Sequence, residues 1–111
     1  MRRENRLTSP AEFQTVYRSG MRLRTGSVIV IASSETVTTT KVGFAASKRV
    51  GSAVARNRAK RRLRAAATPL VPATRPRLLV LQATSQTSSE PWQNLEADVR
   101  RGLVSVGALD A

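Results

Sequence analysis

The segment Arg56-Asn57-Arg58-Ala59-Lys60-Arg61-Arg62-Leu63-Arg64 sets six cations within nine residues. It reads as the middle of a helix running from about Ser52 to Ala67, stopped ahead of Pro69 because the residue before a proline is biased away from helical backbone. At 100° per residue, Ala55, Ala59, Leu63, Ala66 and Leu70 fall within an arc of roughly 80°. Arg56, Lys60 and Arg64 lie beside that stripe, and Arg61, Arg58 and Arg62 continue round the helix. Unpaired charges are too costly to bury, so the fold has to seat this helix on a narrow seam of small residues and leave a broad cationic face outside. Nothing nearby in the chain neutralises that face. The 54 residues from Thr36 to Ser89 contain no Asp or Glu, whereas an exposed helix is normally supported by opposite charges three and four apart. The expected counter-charge is therefore external, with a polyphosphate backbone as the candidate.

The whole chain points the same way. Its net charge of +12 and pI near 11.9 indicate nucleic acid or, less often, an anionic membrane. Arg outnumbers Lys sixteen to three. Arg grips phosphate with a planar fork and stacks on bases, which suits RNA; codon bias would produce the same excess, so this ratio alone decides nothing. Hydrophobic residues reach 41% of the 111, enough for one core, so residues 1–111 form a single domain rather than a disordered basic tail. The chain has no Cys and no His, which removes disulfides, thiolate nucleophiles, the usual zinc sites and the commonest general base. The seven carboxylates are scattered, and the closest pair, Glu96 and Asp98, does not share a helical face. No catalytic or metal-ligating residues are expected on the protein. No apolar run approaches the ~18 residues of a membrane span, and no apolar signal core follows Met1-Arg2-Arg3. The expected location is cytoplasmic, away from membranes.

Residues 1–8 read as a short basic arm. Ser9 is a fitting N-cap, Pro10 suits the first helical position and Glu12 completes a capping box, which begins a helix over about 10–19. Phe13, Val16 and Tyr17 recur at helical spacing within it, and Gly20 ends it. Val28-Ile29-Val30-Ile31-Ala32 is a β-branched strand, Ser33 to Thr40 a polar connection, and Lys41 to Ala46 a second strand. Residues 28–46 are expected to form a hairpin, with room for a further short strand around Met21 to Arg24. Ser47 to Gly51 turns into the basic helix. Leu78-Leu79-Val80-Leu81 is the continuous apolar run of a buried strand. A last helix spans about Glu90 to Leu103, with Trp92, Leu95, Val99 and Leu103 on one face and Trp92 expected in the core. Residues 104–111 read as a loose tail. The order helix–strand–strand–helix–strand–helix predicts an α+β sandwich with one mixed sheet.

The block from Gly43 to Arg64 closely resembles the signature of the bacterial ribonuclease P protein family. In that family a strand ends in a Ser-Lys-Lys/Arg turn with a following Gly, here Ser47-Lys48-Arg49-Val50-Gly51. An Ala-Val-x-Arg-Asn-Arg-x-Lys-Arg helix comes next, here Ala53-Val54-Ala55-Arg56-Asn57-Arg58-Ala59-Lys60-Arg61. The likeness extends to Arg6-Leu7, Phe13, Val16, Tyr17, Gly20 and the strand 78–81, most of residues 5–103. It implies an α/β fold with a left-handed crossover and a partner, the catalytic RNA of ribonuclease P, bound one to one. It implies a precursor tRNA substrate whose 5′ leader is removed by hydrolysis of one phosphodiester. The chemistry would rest with the RNA and its Mg2+ ions, and the protein would carry no cofactor of its own.

The resemblance also implies roles for residues. Arg56, Asn57, Arg58, Lys60, Arg61, Arg62 and Arg64, with Lys48 and Arg49 in the turn before them, would contact the catalytic RNA. Asn57 could hydrogen-bond either to RNA or to the backbone of the preceding loop. A cleft between the first helix and the sheet would hold the single-stranded leader, with Phe13 and Tyr17 on one wall and Ile29 and Ile31 on the other. Two positions depart from the family pattern. Ile29 and Ile31 stand where the first cleft strand commonly carries an aromatic, and Gln82 stands where an Arg is common. A basic ribosomal protein, or another structural RNA-binding protein, is the alternative that charge and size leave open.

Overall fold

The computed structural model describes all 111 residues. Helix α1 spans Pro10–Ser19, strands β1, β2 and β3 span Met21–Thr25, Val28–Ala32 and Lys41–Ala45, helix α2 spans Ala53–Ala67, strand β4 spans Leu78–Ala83 and helix α3 spans Trp92–Ser105. The strands form one mixed four-stranded sheet in the order β1-β2-β4-β3. β1 pairs antiparallel with β2, β2 antiparallel with β4, and β4 parallel with β3.

The expected 28–46 hairpin is therefore not formed. β2 makes its hairpin with β1, and β4 lies between β2 and β3. Strand β4 is apolar on both faces, with Leu78, Leu79, Val80 and Leu81 all buried, and a strand of that kind is stable only with neighbours on both sides and helices above and below. One face carries Val28, Val30, Ala32, Val42, Leu79, Leu81 and Ala83 against Ala59, Leu63 and Ala66 of α2 and Leu95, Val99 and Leu103 of α3. The other carries Ile31, Leu78 and Val80 against Leu7 and Val16.

Residues within both the expected arm and the expected tail are packed, although Arg2, Arg3, Glu4 and Arg6 remain exposed. Leu7 is buried, its amide donates to the Val42 carbonyl (3.1 Å), and the Asn5 side chain donates to the Thr40 carbonyl (2.8 Å). The first residues thus cover the outer edge of β3. At the other end α3 closes at Gly107, φ +79°, with Ala108 N–H donating to Leu103 O (2.9 Å) and Gly107 N–H to Val104 O (3.0 Å), the paired bonds of a Schellman motif. Val106, Ala108 and Leu109 are then buried. Burying a Val or Leu contributes about 1.5–3 kcal/mol, comparable with the ordering cost of about 1–2 kcal/mol per residue. Arg75 fastens the segment by donating to Gly107 O (2.8 Å) and pairing with Asp110.

Helix α1 spans the expected residues, but its cap and the start of α3 differ from expectation. Ser9 makes no side-chain cap bond, and the Glu12 carboxylate, expected to reach back to the Ser9 amide, pairs instead with Lys41 on β3 at 3.0 Å. Helix α3 starts at Trp92 rather than Glu90, since Pro91 restrains the residue before it and its carbonyl accepts from Asn94 and Leu95.

Candidate nucleic-acid interface

The approach to α2 is built by two serines. Ser47 Oγ accepts from the Arg49 amide (3.3 Å) in the short turn Lys48–Val50, and Ser52 Oγ caps α2 by accepting from the Ala55 amide (3.2 Å). Lys48 and Arg49 are left exposed beside the helix start. No acidic residue occupies the first turn of α2, so the positive end of the helix dipole adds to their field.

Along α2 the buried residues are Ala59, Leu63, Ala66 and Ala67, close to the expected seam. The cations do not behave alike. None of the four ion pairs in the protein involves α2. Arg58, Lys60, Arg61 and Arg64 donate no side-chain hydrogen bond to the protein, and neither does Asn57, whereas Arg56 donates to the Gly51 carbonyl (3.0 Å). Arg62 is tied down: it donates to the Thr87 and Glu90 carbonyls, and its guanidinium carbon sits 5.9 Å from the centre of the Trp92 ring. Trp92, expected in the core, is 39% exposed and serves as the platform for that cation.

The other face of the sheet carries the cleft. The Phe13 ring lies so close to Gly43 that a Cβ there would come within 2.5 Å of it. Tyr17 stands beside Phe13, ring centres 6.2 Å apart, and is 43% exposed. Phe13 thus supports α1 on the sheet while Tyr17 faces solvent. The two isoleucines separate. Ile31 is 2% exposed, sealed among Leu7, Val16, Leu78 and Val80, and has no surface to offer a ligand. Ile29 is half-buried and floors a recess of about 260 Å³ with Arg22, Arg24, Ser47, Arg49, Gln82 and Thr84 among its walls.

Arg22 and Arg24 escaped the sequence reading. Cross-strand pairing sets Arg24 beside Ile29 and Ile29 beside Gln82, so cationic groups of β1 flank the row where Gln82 brings none. The available signal was the alternation of Met21, Leu23 and Thr25 with Arg22 and Arg24, which has the period of a strand. Arg49 lines this recess and also stands in the turn before α2, so one cationic side chain links the recess to the approach to the helix.

Asp98 holds the end of the sheet nearest this surface. Its carboxylate accepts from the Ser27 amide (2.9 Å), the Ser27 hydroxyl (2.7 Å) and Arg101 (2.6 Å). Ser27 O in turn accepts from Thr84 Oγ1 (2.9 Å) and Thr87 Oγ1 (2.6 Å), and Thr87 O is one of the carbonyls that Arg62 holds. Burial alone would raise the Asp98 carboxyl. The Ser27 donors and the Arg101 charge outweigh it and keep the group below its ordinary value of 3.8.

No three of the chain's carboxylates come together. No helix is long and apolar enough to cross a membrane.

Comparison with known proteins agrees with this arrangement. The family model described as Ribonuclease P matches residues 1–107. The ribonuclease P protein component of Kocuria rhizophila is 37% identical over 91% of this chain and 90% of its own length. That of Symbiobacterium thermophilum is 35% identical over 98% and 96%. Among solved structures, the RNase P protein of Staphylococcus aureus matches with a TM-score of 0.83 at 19% identity, covering 96% of this chain and 98% of that one. The RNase P protein of Thermotoga maritima matches with a TM-score of 0.74 at 15% identity, covering 91% and 94%. A basic helix on a small-residue seam, a cleft on the opposite face of the sheet and this likeness along nearly the whole chain have one reading: the chain belongs to the ribonuclease P protein family, the protein component of an endoribonuclease of tRNA processing.

Proposed function

We propose that the protein grips the catalytic RNA of ribonuclease P through α2 and the turn before it, one protein to one RNA, in the cytoplasm. The 5′ leader of precursor tRNA lies in the cleft lined by Tyr17, Ile29, Arg22 and Arg24. The observation that carries this reading is the set Arg58, Lys60, Arg61 and Arg64. These are four cations on one helix with no hydrogen bond or ion pair to the protein, in a 54-residue span without an acid. Their counter-charge is phosphate, and each one neutralised releases bound counterions.

Hydrolysis of the phosphodiester belongs to the RNA and the Mg2+ it binds. The protein's part is to lower the repulsion between two polyanions and to hold the leader by stacking and charge. The test is to add the purified protein to a bacterial ribonuclease P RNA at low magnesium and follow cleavage of precursor tRNA. Stimulation is expected there, and most strongly at the lowest magnesium. Cleavage by rigorously RNA-free protein would sink this division of labour.

A further inference from the structure

The flank of α2 that faces β3 carries more than a phosphate-neutralising surface needs. A groove of about 490 Å³ runs there, lined by Phe44, Val54, Asn57, Lys60, Arg61 and Arg64. Its size is that of a small-molecule site rather than of an ion site. The Arg64 guanidinium carbon lies 5.4 Å from the centre of the Phe44 ring, and both side chains line the groove. Val54 is 76% exposed, an apolar side chain on an otherwise cationic surface. Asn57 is exposed beside it and makes no hydrogen bond within the protein.

These features have a common use. Guanidinium planes stack on bases, and unpaired bases are what proteins read in structured RNA. A side-chain amide offers an acceptor and two donors side by side, which matches the N6–N7 edge of adenine. Val54 supplies apolar cover on the lip, and Lys60 and Arg61 lie within reach of the nucleotide's phosphate.

We propose that this groove binds one unpaired adenine of the RNA partner, its base stacked on the Phe44-backed Arg64 and its edge held by Asn57. The proposal rests on the reading that α2 binds the catalytic RNA, and the test separates the two. A bacterial ribonuclease P RNA is transcribed with sparse 7-deazaadenosine, which lacks N7, and the molecules retained by the protein are mapped for positions where the analogue weakens binding. With the native protein one unpaired adenine should show interference. With Asn57→Ala that signal should vanish while interference elsewhere persists. Arg64→Lys keeps the charge and loses the plane, so its affinity should fall on the order of tenfold with an unchanged salt slope. Both side chains lie outside the core, and circular dichroism and Tm would verify that the variants fold. If the RNA binds with a steep salt slope but Asn57→Ala leaves every interference position in place, the groove holds phosphate alone and the proposal is overturned. It is equally overturned if Arg64→Lys binds like the native protein, or if the lost signal maps to a paired base. No binding of the RNA by the native protein would instead overturn the proposed function.

Discussion

The outer face of α2 and the recess on the opposite face of the sheet present similar chemistry by opposite routes. On α2 the functional groups are consecutive in sequence, and a single helix displays them. In the recess, Arg22, Arg24, Ile29 and Gln82 come from β1, β2 and β4, brought together by strand pairing, and Arg49 joins them from a turn. The first surface should survive local damage to the fold and respond mainly to salt. The second should depend on packing and discriminate between substrates. Arg62 crosses that division: it lies in the cationic run, yet belongs to the scaffold.

The largest expected effect tests the helix. Replacing Arg58, Lys60, Arg61 and Arg64 together by Ala should flatten the log–log salt dependence of RNA affinity by about three units, at roughly 0.7–0.9 for each phosphate lost. Titrations between 50 and 200 mM salt would measure this, and an unchanged slope would place the RNA elsewhere. Arg62→Ala sharpens the contrast. It removes charge-assisted bonds to two carbonyls, so it should cost about 1.5–3 kcal/mol of stability in urea unfolding and change the salt slope less than Arg61→Ala does. The reverse ranking would make Arg62 an RNA ligand.

Next in size is the cleft. Tyr17→Ala should weaken holoenzyme binding of precursor tRNA by ~1–3 kcal/mol, the worth of one stacked base, and leave mature tRNA nearly unaffected. Equal losses for both would assign Tyr17 to the scaffold. Phe13→Ala is a poorer probe, because emptying its site against Gly43 endangers the fold itself.

The smallest effect concerns Asp98. Its carboxyl is held below 3.8 in the folded protein. A depressed carboxyl contributes stability that is present above its unfolded value and lost as pH falls through the folded one. Native protein should therefore lose stability on acidification below about pH 4, and Asp98→Asn should remove part of that dependence. Urea midpoints from pH 5 to pH 2 would show it, and parallel curves for the two proteins would exclude Asp98 as a source.

The helices were largely legible from local pattern, as was the seam of α2. The candidate site was legible in proportion to how local it is. Lys48, Arg49 and the α2 cations could be named because spacing along one helix and its lead-in turn is enough to place them. The proposed leader wall was half legible: Ile31 lies inside the cluster with Leu7 and Val16, whereas Ile29 packs at its margin and stays half-buried. Arg22 and Arg24 were overlooked because a short edge strand with alternating Arg carries little apolar signal.

What the sequence determined alone is the long acid-free span, the helix inside it, and the fact that its charge needs an outside partner. Those follow from composition and a 3.6-residue period, which act over a few residues. Tertiary structure alone decided that β4 separates β2 from β3, that Leu7 and residues 106–109 are packed, and that Arg62 turns inward while Arg61 remains free. Each of these depends on groups far apart in the chain. The carbonyls of Thr87 and Glu90 become the nearest partners of Arg62 only when α2 and α3 dock side by side on the sheet, and no local pattern encodes that distance.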